Sequence, residues 1–247
     1  MIFSPNVKSK KGANTKWLTT PFPTCLPDEE LNGIFTGMSV EVCKHSDIIK
    51  LYTNGNYGKG TKSRSTPQIM RGQRVTSDLN GNQENLALSL EEAFFLSYYL
   101  KVLRITNIHG EKMEWLQMMH ECEAINRKFS CHLAAYIYLK SKGWIVKSGL
   151  KFGSNFLIYR KGPRFYHASF AVLISCKNED YAHLEVKNMK GLQRIAEASD
   201  KDILLLEINK PPNFKMCTLE DISRLSISES VIKRFNYAAF VQNKTLT

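Results

Sequence analysis

Residues 149–172 read GLKFGSNFLIYRKGPRFYHASFAV and set the expected order of elements in the second half of the chain. The apolar and aromatic run from Asn155 to Tyr159 is typical of a β-strand. The Lys-Gly-Pro sequence that follows predicts a turn, because glycine and proline interrupt regular structure. A second strand is expected from Ala168 to Ser175. The pattern therefore places Tyr159 at the end of one strand and His167 at the start of the next.

The composition is that of a folded, basic protein. The chain has 247 residues, of which 43% are hydrophobic and 11% aromatic, so it can bury a sizeable core. Lys and Arg total 34 against 23 Asp and Glu, which gives a formal net charge of +11. Such a surplus favours polyanions, because contacts with phosphates release counterions. Nucleic acid is therefore the leading expected partner, and an anionic membrane surface the lesser one.

Cysteine spacing and hydropathy argue against several other classes of protein. The six cysteines lie scattered without Cys-x-x-Cys spacing, which indicates neither a disulfide framework nor a zinc ribbon. Met1 to Lys10 lacks the apolar core of a secretion signal, and no apolar run approaches the ~18 residues of a membrane span. We expect a soluble, intracellular protein with reduced thiols.

Composition and periodicity divide the chain into an arm and two folded domains. Residues 1–30 are rich in Lys, Thr and Pro without a sustained period, which predicts an irregular basic arm. Residues 31–120 are expected to form an α+β domain. Residues 121–247 are expected to form a compact α/β domain, in which strands surround one helix.

Several helices and strands are expected within these domains. In the first domain we expect strands at 34–35 and 39–42, a helix at 46–52 capped by Ser46-Asp47, and a capping-box helix at about 90–103. A second helical run from about Met113 to Leu139 is interrupted near Asn126 and ends before Gly143, a natural C-cap. The second domain should add strands at 144–146, 156–159, 169–175 and 203–208 and a helix at 187–198. Residues 171–174 and 203–206 are apolar throughout, as central strands covered on both faces require.

Two other stretches invite functional hypotheses. The glycine-rich loop Gly55–Gly60 could contact phosphate or a partner, or could simply be a flexible cluster of turns. The helical run contains His120, Cys122, Cys131 and His132, which are residue types that bind metals. On a continuous helix the two cysteines lie ~900° apart and so on opposite faces, which argues against a metal site.

Tyr159, His167 and a lysine can together cleave RNA without a metal. The 2′-hydroxyl of RNA adjoins the scissile phosphate, so a catalyst must remove its proton, protonate the departing 5′-oxygen and stabilise the charge on the phosphorane. Histidine's ordinary pKa of ~6.5 suits proton transfer, and a lysine ammonium suits the charge. Tyrosine's ordinary pKa of ~10 makes it a poor base unless positive charge lies nearby. Taken singly, Tyr159 and His167 could also be ordinary residues at the edge of a core.

These residues also carry a resemblance to a known family. The motifs GLKFG at 149–153, YRKGP at 159–163 and His167-Ala168 resemble the catalytic signature of the tRNA-splicing endonuclease. The eight-residue step from Tyr159 to His167 is similar to that of the eukaryotic subunit that cleaves the 5′ splice site. Residues 57–67 and 88–96 are similar to the N-terminal domain of that subunit. The resemblance implies a catalytic domain built on a central mixed β-sheet.

The resemblance also implies roles for individual residues. Lys201 follows Arg194 by seven residues and precedes an apolar strand, as the catalytic lysine of the family does; Lys190 is the fallback. The family's usual roles are general base for Tyr159, general acid for His167 and transition-state stabiliser for Lys201. Arg194 and Phe235 match the positions that grip an intron base, with Phe235 in place of the family's tryptophan.

The family further implies precursor tRNA as the substrate, no cofactor or metal, and a nuclear location. Its expected partners are a second nuclease subunit and two structural subunits, which complete a heterotetramer. Three alternatives stay open from the sequence: a non-catalytic scaffold of the same fold, a basic RNA-binding module without cleavage, and a metal-dependent nuclease. The last is the weakest, because residues 149–172 contain no carboxylate.

Overall fold

The computed structural model contains two five-stranded mixed sheets, each formed by one half of the chain. It describes residues 10, 22–26, 29–62, 67, 84–176, 186–199 and 201–233, with the backbone alone for 186–189. The strands are β1 Leu31–Phe35, β2 Val40–Val42, β3 Lys59–Gly60, β4 Leu86–Leu88, β5 Leu103–Thr106, β6 Ile145–Ser148, β7 Phe156–Tyr159, β8 Phe170–Cys176, β9 Asp202–Asn209 and β10 Ser226–Ile232. The α-helices are α1 His45–Thr53, α2 Leu90–Phe94, α3 Trp115–Ile125, α4 Phe129–Ser141 and α5 Val186–Ala198. Among the helices described, none is long and apolar enough to cross a bilayer.

The first sheet has the strand order β3-β4-β2-β1-β5, with β1 and β5 parallel and the other pairs antiparallel. The predicted strands β1 and β2 and the helix α1 are confirmed. The predicted cap of α1 is wrong, since Lys44 precedes the helix and makes no side-chain cap. The capping box of Ser89 and Glu92 is present at the start of α2.

The helix expected at 90–103 is shorter than predicted. After α2 the chain makes a π-helical turn, Phe95–Tyr99, and Lys101 then takes a left-handed conformation with φ of 55°. Leu103 begins β5, where it pairs with Leu31 of β1. Pairing with a distant strand thus overrides the local helical pattern.

The second sheet has the order β10-β9-β8-β7-β6, with β8 and β9 parallel and the other pairs antiparallel. Every residue of β8 is buried, as a central strand requires. Helix α4 packs on one face, where Leu133 joins the same core cluster as Val172 and Leu204. Helix α5 packs on the other, where Ala196 joins Ile203 and Leu205.

The predicted break in the central helical run is confirmed, because α3 ends at Ile125 and α4 begins at Phe129. The break turns Cys122 and Cys131 into the same buried core, so the opposite-face geometry expected for a continuous helix does not apply. In the described part of the chain, no group of three or more His, Cys, Asp and Glu side chains could hold a metal ion.

A buried carboxylate joins the two sheets. Glu92, at 6% exposure, accepts hydrogen bonds from the backbone N–H of Ser89 at 3.0 Å and of Gly58 at 3.1 Å. Its other oxygen lies 3.0 Å from the ammonium of Lys147 on β6, which also donates to the Gly58 carbonyl at 2.8 Å. One side chain therefore ties α2, the glycine-rich loop and the second sheet together.

Lys140 of α4 is buried among aromatic rings beside this junction. Its Nζ lies 4.6 Å from the ring centroid of Tyr57 and 5.2 Å from that of Phe22. Burial lowers the pKa of Lys140 from 10.5 to about 8, because the charged form loses its hydration.

We predict that Glu92→Gln destabilises the chain by about 3 kcal/mol, since it leaves the part-buried Lys147 ammonium without its counter-charge. The matched control is Glu30→Gln. It removes an exposed pair in which Arg104 lies 3.9 Å away, so it should cost less than about 1 kcal/mol. Urea unfolding of both variants measures the difference, and equal losses would contradict the prediction.

We also predict that Lys140→Met stabilises the protein in a pH-dependent way. Between pH 8 and 10.5 the folded Lys140 is neutral and the unfolded one is charged, so the unfolded state binds more protons and this contribution to stability rises with pH. The advantage of the variant over wild type should therefore be largest at pH 7 to 8, by our estimate on the order of 3 kcal/mol, and should shrink towards pH 10. Urea titrations across this range test it. A difference that stays constant with pH would contradict it.

Candidate active site

Three strands of the second sheet end in register at one edge. Ile158 of β7 pairs with Phe170 of β8, which pairs with Asp202 of β9. Tyr159, the last residue of β7, and Lys201, which precedes β9, each lie one residue beyond this row. They lie on opposite sides of β8. Since β7 runs against β8 while β9 runs with it, the end of β7 and the start of β9 meet at the same edge.

Lys201 is held over the aromatic ring of Phe152. Its Nζ lies 4.5 Å from the ring centroid of Phe152 and donates to the carbonyl of Ser199 at 2.8 Å. Its backbone N–H donates to Ala196 at the end of α5 at 2.9 Å. Phe152 in turn packs with Tyr159 against the cluster that contains Ala168. The ring beneath the lysine and the Tyr159 side chain therefore pack against one and the same buried cluster.

The glycines of GLKFG allow the tight turn that presents Phe152. A Cβ added to Gly149 would lie 2.2 Å from Ser154 Oγ and 2.7 Å from the Ser154 carbonyl oxygen, so only glycine fits. Gly153 closes the 3₁₀ turn, residues 150–152, with a left-handed φ of 66°. The backbone conformation of this turn therefore requires both glycines of the motif.

His167 lies near the end of the loop that joins β7 to β8, residues 160–169, here called the catalytic loop. The Gly162 carbonyl accepts from the N–H groups of Phe165 at 3.2 Å and Tyr166 at 3.1 Å, and Phe165 is buried. Lys10 donates to the Phe165 carbonyl from its N–H at 2.8 Å and to the Pro163 carbonyl from its Nζ at 2.6 Å. The loop backbone is thus held while the His167 side chain stays exposed.

The electrostatic surroundings of the edge are positive. Four cationic side chains are exposed on the turn and the loop that flank Tyr159: Lys151, Arg160, Lys161 and Arg164. Tyr159 itself is half-buried, and burial raises its pKa above the ordinary value of 10.0. The phenol therefore keeps its proton at neutral pH in the free protein.

The other predicted site residues lie on helix α5 or outside the described residues. Arg194 and the fallback Lys190 occupy exposed positions four residues apart on α5, and so on the same side of that helix. Phe235 lies outside the described residues.

Sequence reasoning missed two residues of this edge. Phe152 was quoted within its motif, but its contact with Lys201 joins positions that are 49 residues apart, which no local pattern reports. Ser169 ends the catalytic loop between Tyr159 and Lys201, and its buried Oγ has no hydrogen-bond partner. Only the strand register could have revealed its place.

The comparison with known families decides the identity of both domains. Residues 129–246 match the family model of the tRNA intron endonuclease catalytic C-terminal domain, and residues 31–119 match that of its N-terminal domain. The chain belongs to the tRNA intron endonuclease family. The predicted fold class is thereby confirmed, and the domain that carries the edge is a tRNA intron endonuclease catalytic domain.

Individual relatives carry matching names. The chain is 36% identical over 160 residues to the tRNA-splicing endonuclease subunit Sen2 of Mus musculus, which covers 62% of this chain and 35% of the mouse protein. It is 31% identical over 191 residues to a probable subunit sen2 of Schizosaccharomyces pombe, covering 67% and 48%. A tRNA-splicing endonuclease of Saccharolobus islandicus is 25% identical over 183 residues, covering 73% and 91%. The chain thus spans about a third of the length of the mouse relative and about half of the fission-yeast one.

We predict that Gly149→Ala destabilises the protein by about 2 kcal/mol, because its methyl group collides with Ser154. The matched control is Gly191→Ala on α5, where nothing lies within 4 Å of the added Cβ. That change should stabilise the protein by up to about 1 kcal/mol, since alanine favours the helix. Thermal unfolding measures both, and a neutral Gly149→Ala would contradict the role given to this turn.

Proposed function

We propose that this chain is the nuclease subunit that cleaves intron-containing precursor tRNA at the 5′ exon-intron junction. The observation that carries the proposal is the alignment of Tyr159, Lys201 and the loop bearing His167 along one sheet edge. The Sen2 names of the similar eukaryotic proteins support it as well. We infer that the chain works in the nucleus with a second nuclease subunit and two structural subunits.

In the proposed reaction the 2′-oxygen of the nucleotide before the junction attacks the adjacent phosphorus. Its proton leaves as the new bond forms, and the P–O5′ bond breaks as His167 protonates the departing oxygen. The products are a 2′,3′-cyclic phosphate and a 5′-hydroxyl. Lys201 stabilises the negative charge that builds up on the phosphorane.

Tyr159 is proposed to align the 2′-hydroxyl and to receive its proton. Burial works against this second role, because it raises the pKa of the phenol. Burial is the cause of this shift in the free protein, so the tyrosine acts as a base only if a cation is brought close to the phenol in the complex with RNA.

The exposed cations near Tyr159 fit the backbone of RNA. Contacts of this kind hold phosphates without reading bases, which suits an enzyme that recognises the folded body of a tRNA by shape. Binding alone is the second candidate function, and these same side chains favour it. A measurement of RNA cleavage distinguishes the two candidate functions.

The decisive experiment uses tagged wild-type and His167→Ala chains, each purified with its bound partners and mixed with end-labelled precursor tRNA in EDTA. We expect the wild type to cut the 5′ junction and to leave a cyclic phosphate. The variant should cut it roughly 10² to 10⁴ times more slowly while binding RNA normally. Equal cutting by both proteins would give the activity to a co-purified subunit and leave this chain a scaffold. Binding without any cutting by the wild type would favour the RNA-binding module.

We predict that Lys201→Ala raises the barrier to 5′-junction cleavage by about 3 kcal/mol, because the phosphorane loses its counter-charge. Lys190→Ala, on the exposed side of α5, is the matched control and should cleave at a rate close to that of wild type. Single-turnover rates in EDTA measure both variants. A normal rate for Lys201→Ala together with a slow Lys190→Ala would transfer the role to Lys190.

A further inference from the structure

The glycine-rich loop Gly55–Gly60 of the N-terminal sheet lies against the catalytic loop. Residues 55–58 are buried, which contradicts the predicted phosphate contact for these four residues, and the left-handed backbone at three of them confirms the predicted turn. Gly58 is anchored on both sides, since its N–H donates to Glu92 and its carbonyl accepts from Lys147. The loop is therefore a fixed part of the interior.

Asn56 is the residue of this loop that reaches the catalytic loop. A Cβ built on Gly162 would lie 2.7 Å from Asn56 Nδ2 and 3.1 Å from its Cγ, so the carboxamide packs directly on the Gly162 α-carbon. Asn56 is 3% exposed and has a left-handed φ of 56°. Gly162 has a φ of 99°, which favours glycine, and lies in the loop between Tyr159 and His167.

The carboxamide of Asn56 is also incompletely satisfied. In the described part of the chain, the buried side-chain atoms without a hydrogen-bond partner are Asn56 Nδ2 and Ser169 Oγ. Asn56 packs on Gly162 of the catalytic loop, and Ser169 is the last residue of that loop. Buried polar groups are normally paired, and exceptions cluster where function requires them. The left-handed backbone accounts for an asparagine at this position, but it does not require that the amide donor be buried and unpaired.

We propose that Asn56 is a positioning residue for 5′-junction cleavage. By packing on Gly162 it fixes the position of the catalytic loop relative to the N-terminal domain, and so the placement of His167. The proposal rests on the proposed function of this chain. It makes the N-terminal domain part of the catalytic arrangement, because a rigid loop anchored by Glu92 and Lys147 bears on the turn ahead of His167. Asn56 itself touches neither the RNA nor the reacting atoms.

The test is Asn56→Gly, which removes the carboxamide and keeps a residue that tolerates the left-handed conformation. In the assembled endonuclease we expect kcat at the 5′ junction to fall about tenfold or more, because small misplacements of a catalytic group are costly. The KM for precursor tRNA should change less than about twofold, since Asn56 is buried away from the substrate. Cutting at the 3′ junction by the second nuclease subunit should be unchanged, which reports that the assembly is intact. Asn213→Gly, at an exposed left-handed asparagine, is the matched control and should behave as wild type.

A double-mutant cycle with Gly162→Ala tests the contact itself. Gly162→Ala should slow 5′ cleavage by a smaller factor in the Asn56→Gly background than in wild type, because the clash with the carboxamide is then absent. Equal factors in both backgrounds, a normal kcat for Asn56→Gly, or a parallel loss at both junctions would overturn the inference. A wild-type assembly that leaves the 5′ junction uncut would instead overturn the proposed function, and the inference with it.

Discussion

The arrangement of the site depends on the register of three hydrogen-bonded strands. The row Ile158, Phe170 and Asp202 aligns β7, β8 and β9. A shift of one residue in β9 would turn Lys201 to the other face of the sheet, because side chains alternate along a strand. Such a shift would also move Glu207 and Asn209 to the positions of Leu206 and Ile208, which are fully buried, so the core resists it. Core packing thus fixes the geometry of the candidate site, although none of the core residues is assigned a role in the proposed chemistry.

The second level of organisation is the junction between the two sheets. Glu92 satisfies the start of α2, the glycine-rich loop and Lys147 together, and aromatic contacts such as Phe95 with Tyr136 continue the same core. Asn56 connects this junction to the catalytic loop through its contact with Gly162. The N-terminal domain therefore supports the turn that leads to His167, in addition to any contacts it makes with RNA or partners.

Local sequence patterns predicted much of the catalytic domain. Strand β7 and helix α5 were found within a residue or two of their observed bounds, because their periods agree with their tertiary surroundings. Strand β10 was missed, since its sequence SISESVI is polar and belongs to a sheet edge. Leu103 was placed in a helix, but it pairs in a sheet with Leu31, 72 residues away. Helix and strand propensities depend on neighbouring residues in the sequence, whereas strand pairings of this kind join residues that are far apart in it.

The same distinction applies to the site. Tyr159, His167 and Lys201 were selected by motif and resemblance, and the strand register supplies a physical reason for the nearness of Tyr159 to Lys201. Phe152 under Lys201 and Asn56 on Gly162 join distant parts of the chain, so no spacing in the sequence predicts them.

The most direct test of the account replaces the attacking group of the substrate. A precursor tRNA with a single 2′-deoxynucleotide immediately before the 5′ junction is mixed with the assembled wild-type enzyme in EDTA, and both junctions are followed. If the 2′-oxygen is the nucleophile, cleavage at the 5′ junction is lost while the 3′ junction is still cut. Continued cleavage of the deoxy-substituted 5′ junction would mean that water attacks the phosphorus, and it would contradict the mechanism built on Tyr159, His167 and Lys201.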